Sequence, residues 1–70
     1  MTAEDWLDLF AKELGADAPS GEKIDGILEL AAEAAHSSER RAAPVACWIG
    51  AQAGKPLEEL IEVAKRIGNG

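Results

Sequence analysis

Four side chains in this sequence have the chemistry to do more than pack: His36, Arg40, Arg41 and Cys47. His36 is the only histidine. It falls at the end of an apolar-periodic segment, where a helix C-terminus favours the protonated ring. As a general base it would need an orienting partner and a substrate pocket; otherwise it bonds helix-end carbonyls or water. Arg40 and Arg41 follow it in an otherwise acidic stretch. A guanidinium grips carboxylate or phosphate through two parallel hydrogen bonds. The trio could therefore bind an anionic ligand or an acidic partner surface, or form a solvated loop that pairs with the chain's own Glu33 and Glu39. Cys47 would be a nucleophile only with a lowered pKa. Its setting, Val45-Ala-Cys-Trp-Ile49, is apolar and predicts a buried, inert thiol. Glu29 and Glu33 stand one helical turn apart, but no histidine joins them in the spacing that di-metal bundles use, so no metal or other cofactor is expected. The glycines form no phosphate-binding loop.

These residues belong to a chain of 70 residues with 13 acidic and 7 basic side chains, a formal charge of -6. That is room for one domain, residues 1–70. The acidic balance argues against a nucleic-acid partner, because phosphate neutralisation needs a basic surface. The charge is uneven. Residues 1–40 hold ten acids and three bases, residues 41–70 three and four. The acidic start is the reverse of a signal peptide's basic head. No apolar run approaches the roughly 20 residues of a membrane span, and a lone cysteine makes no internal disulfide. A cytoplasmic location is the expectation.

The apolar residues recur at helical, never alternating, spacing, which predicts an all-α fold. Thr2 and Asp5 resemble a capping box. Trp6, Leu7, Phe10 and Leu14 then make one face of a helix over about 3–14, and Gly15 stops it. Ser20 caps a second helix over about 22–36, with Ile24, Ile27, Leu28, Ala31, Ala34 and Ala35 inward. Gly26 inside it implies a close helix approach. Pro44 suits the first turn of a third helix, about 44–53, apolar on most sides and so expected to be the most buried. Gly50 is read as a contact point and Gly54 as a C-cap. Pro56 at the first position opens a fourth helix, about 56–67, with Leu57, Leu60, Ile61, Ala64 and Ile67 inward, and Gly68-Asn-Gly70 as a frayed tail. Short joins imply a compact antiparallel bundle. Trp6 and Trp48 are expected to anchor its core, although either could instead line a pocket.

The order of these elements carries a resemblance. Trp6-Leu7 is followed by Asp25-Gly-Ile-Leu-Glu-Leu-Ala31, Ala35-His36, Arg40, Ala42-Ala43-Pro44, Trp48, Gly50 and Gly54. This series resembles a small actinobacterial family, the domain of unknown function numbered 6457, over nearly the whole chain. The resemblance implies an accessory unit encoded near or fused to enzymes of molybdenum cofactor maturation, usually the guanylyltransferase that makes molybdopterin guanine dinucleotide. It carries over no catalytic residue. The matched positions are Trp6, His36, Arg40 and Pro44. Arg41 stands where relatives are expected to have proline, which makes the junction more basic. The expected function is thus a non-catalytic interaction domain with a protein partner, using His36, Arg40, Arg41 and Trp48. The alternatives are a small anionic-ligand-binding protein built on the His36/Arg40/Arg41 junction and a homodimeric structural module.

Overall fold

The structure is a computed structural model that describes residues 1–69. Four helices follow one another: α1 (Ala3–Leu14), α2 (Gly21–Ser37), α3 (Ala42–Ala53) and α4 (Leu57–Asn69). The all-α bundle of four short helices read from the sequence is the fold. The bounds of α1 agree with the sequence reading. α2 is one residue longer at each end. α3 begins two residues before expectation, and α4 runs from 57 to 69 rather than 56 to 67.

The helix ends explain most of these bounds. Thr2 is extended, and its hydroxyl accepts from the Asp5 amide at 3.1 Å. Gly15 takes the left-handed conformation (φ 70°) that a side chain would resist. Ser20 caps α2 by accepting from the Lys23 amide at 3.2 Å. At the other end, the Ser37 and Ser38 hydroxyls donate to the carbonyls of Glu33 and Ala34, both at 2.7 Å. Those bonds satisfy carbonyls that the finished helix leaves without partners. α3 starts early because Ala42 and Ala43 donate to the carbonyls of Glu39 and Arg40, winding the junction into the helix. Pro44 is therefore the third residue of α3, not its first. Pro56 stands one residue ahead of α4, and its carbonyl accepts from Glu59 and Leu60. The expected frayed tail is corrected in part. Gly68 and Asn69 are helical, and Gly68 lies close to the Ser37 Cβ; Gly70 lies outside the described residues.

α2 is the centre of the bundle. Both α3 and α4 pack along it, and α1 makes no comparable contact with any helix. Gly26 lies against Leu57, and eleven residues on Gly68 lies against Ser37. Both pairs have the same offset, so α2 and α4 run parallel. Alternate helices of an up-and-down antiparallel bundle point the same way, so this direction agrees with the short joins; the departure is that α2 and α4 are direct neighbours. The physical reason is that α3 acts as a crossover: two short joins bring α4 back to the end of α2 where α2 began.

A helix flanked on two sides needs two inward faces, and this relocates the core. Leu30, 6% exposed, is the one buried large side chain among the described residues. It was absent from the expected stripe. Leu28, expected inward, is 61% exposed. Gly50 is buried between Leu30 and Leu60, which fits its reading as a contact point. α3 is not the most buried helix. Its small residues Ala43, Ala46, Cys47 and Gly50 face inward, while Val45, Trp48 and Ile49 lie on the open side.

Because α1 leans on little else, its cap matters locally. Thr2→Ala removes a cap worth about 1 kcal/mol. Circular dichroism should show a loss of helical signal confined to about one helix's share, with the melting temperature of the rest unchanged.

Candidate functional site

The four candidate residues do not converge. His36, Arg40 and Arg41 are all exposed, and none lines the three main clefts among the described residues. Arg41 Nε donates to Glu39 at 3.3 Å, and both side chains are mostly in water. Such an exposed pair contributes little to stability. It leaves Arg41 at the mouth of α3 and screens only one acidic neighbour.

Cys47 sits on the inward side of α3, 3.9 Å from the Ile27 carbonyl. Partial burial pushes its thiol pKa up, because the thiolate is the form that desolvation penalises. This accords with the inert thiol read from its neighbours. Alkylation of the native protein by iodoacetamide at pH 8 should be several-fold slower than for a free cysteine peptide. Denaturant should restore the ordinary rate. A native rate equal to the peptide's would show that the fold does not protect the thiol, and a faster one that it is activated.

The expected core roles of the tryptophans are not met. Trp6 is 52% exposed and Trp48 68% exposed. Trp6 stacks on Phe10, ring centroids 4.9 Å apart, along a stripe continued by Leu14. Trp48 belongs to a second stripe. Arg41, Val45 and Trp48 recur at i, i+4 and i+7, with Ile49 beside them, so one face of α3 is apolar and open. α3 contains no charged residue between Ala42 and Ala53. Arg40 and Arg41 stand at its start and Lys55 just beyond its end.

A cleft of about 430 Å³ lies between α2, α3 and α4. Ile27, Leu30, Cys47 and Leu60 floor it, and Lys23 and Lys55 line it as well. Sequence reasoning did not select those two lysines. α3 running back along α2 brings Lys55, just past its end, beside Lys23 at the start of α2. No group of three or more His, Cys, Asp or Glu side chains is placed to hold a metal ion among the described residues. No helix among them is long and apolar enough to cross a membrane.

Comparison with known families matches residues 1–68 to one described as Domain of unknown function (DUF6457). The chain belongs to this family. No curated protein and no solved structure matches it. What distinguishes this DUF6457 domain is therefore read from its own surface. A bundle with a single buried large side chain among its described residues exposes two aromatic-centred apolar faces, one on α1 and one on α3. Scattered exposed leucines are ordinary in a monomer, whereas contiguous aromatic patches mark contact surfaces.

Proposed function

We propose that this domain is a non-catalytic docking module, and that the outward face of α3 is its docking surface. The observation that carries the reading is the uncharged, open face of Val45, Trp48 and Ile49, with Arg41 in line at one end. Tryptophan and arginine are the residues that most often anchor interfaces. Arg40 and Arg41, with His36 at the end of the preceding helix, give this face a basic edge in an acidic protein. The partner chemistry that fits is an apolar segment flanked by carboxylates. A catalytic role would need convergent polar groups in a water-excluding pocket, and the exposed, dispersed His36, Arg40 and Arg41 do not supply one.

The family resemblance supports molybdenum cofactor maturation in the cytoplasm as the setting, with the guanylyltransferase or a related enzyme as the partner. Affinity capture of the tagged chain from its native host tests this, scored for that enzyme and repeated with the purified pair. Trp48→Asp should abolish recovery, and Arg41→Glu should weaken it by roughly tenfold. Failure to recover any such enzyme, or equal recovery with Trp48→Asp, would overturn the reading. Because Trp48 and Arg41 are exposed, both variants should keep wild-type circular dichroism.

A further inference from the structure

The partner chemistry that α3 calls for is present in the same chain. α1 carries an apolar stripe of Trp6, Phe10 and Leu14 with Glu13 beside it and Glu4, Asp5 and Asp8 on the helix's far side, and it packs along no other helix. We propose that in the free protein the outward face of α3 is covered by α1 of a second copy, and that the contact is reciprocal. The inference rests on α3 being the docking surface and names what occupies it before the partner does.

Charge supports the match. α1 holds four acids against Lys12, a net of -3. The segment from Arg40 to Lys55 holds three bases and no acid, a net of +3. α1 on α1 would set like charges together, and α3 on α3 would set bases (Arg40, Arg41, Lys55) against bases in either orientation; α1 on α3 avoids both. Opposite potentials at an interface also exclude wrong pairings.

Area points the same way. Trp6, Phe10, Leu14, Val45, Trp48 and Ile49 are each at least half exposed. At on the order of 100 Å² apiece, a reciprocal pair of copies covers roughly 1,200 Å². That is the lower end of a specific protein interface, whereas a single α1–α3 contact would give only half of it. Two different patches can close on a second copy when a two-fold axis relates the copies, because each patch then meets its complement twice. Such a pair hides the docking face until a partner displaces α1.

The test is mass in solution by light scattering, from low micromolar to several hundred micromolar chain. A species of twice the 7.4 kDa chain mass is expected. The double variant Trp6→Ala/Phe10→Ala and the single variant Trp48→Ala should each raise the dissociation constant by about 30-fold or more. All altered side chains are exposed, so circular dichroism should remain that of the wild type. Mixing the two variants restores one intact α1–α3 contact, and the mixture should dimerise more tightly than either alone. A monomer at every concentration, masses that keep growing beyond the dimer, or a mixture no tighter than its components would overturn the proposal.

Assaying the same variants against purified guanylyltransferase separates the two ideas. Enzyme binding lost in Trp48→Ala while the chain is monomeric throughout would remove the second-copy contact and leave the docking surface. A dimer broken by Trp48→Ala with enzyme binding intact would remove the docking surface and leave the dimer.

Discussion

Leu30→Ala should leave the domain largely unfolded at 25 °C. Leu30 is the one buried large side chain among the described residues, and it lies at the centre of α2 where α3 and α4 meet it. Truncating a buried leucine to alanine costs about 2–5 kcal/mol, through lost transfer energy and the cavity left behind. A core in a chain this short rarely supplies more than about 3–5 kcal/mol in total. The loss is therefore comparable to the whole. Urea titration followed by circular dichroism should find little or no native baseline for the variant. Leu28→Ala is the control. Leu28 lies two residues away on the same helix but is mostly exposed, so its truncation should move the midpoint only slightly. Equal losses for the two would mean that the core is elsewhere.

Gly50→Val should lower the melting temperature by about 10 °C. A Cβ added at Gly50 would stand 2.8 Å from the Leu60 Cδ1 and 3.6 Å from the Leu30 Cδ2. Valine brings two methyls on a stiff side chain into that seam. Overpacking of this kind costs about 1–3 kcal/mol, and valine regains only about 0.4 kcal/mol of helix propensity over glycine. In a domain of this size 1 kcal/mol moves the midpoint by about 4–8 °C. Gly50→Ala is a closer contest. Alanine gains about 1 kcal/mol of propensity, and the nearest atom is the end of a leucine that can turn aside. Its expected midpoint is near that of the wild type. A valine variant as stable as the alanine variant would show that α3 is not held against Leu60 at this position.

The parts of the fold legible in the sequence are those set by local chemistry. Thr2, Gly15, Ser20 and Gly54 mark helix ends through hydrogen bonds and backbone angles that involve only their neighbours. Gly26 and Gly50 were legible as close approaches, because a mid-helix glycine needs a packing reason. What each approached was not, since that depends on the direction of α4. Leu30 and Leu28 show the limit most clearly. A single-stripe reading of α2 assumes one inward face, but a helix between two neighbours has two, and Leu30 falls where they overlap. The site followed the same rule. His36, Arg40 and Arg41 stood out by type, yet types do not state convergence, and these residues do not converge. That Trp48 shares an open face with Val45 and Ile49 is visible only in the fold, because the sequence does not say which side of α3 is covered. An apolar helix looks the same in sequence whether its outer side meets its own core or another protein.

The parallel course of α2 and α4 also orders the way the chain assembles. Its defining contacts join residues 31 positions apart, Gly26 with Leu57 and Ser37 with Gly68. Loop closure over that span costs more entropy than the short turn from α2 into α3. α2 and α3 are thus expected to pair before α4 docks and closes over Leu30. Until it docks, the seam around Gly50 is open on one side. A ribosome that has released the chain only as far as Gly54 has released the segments of every helix but the one that completes the core.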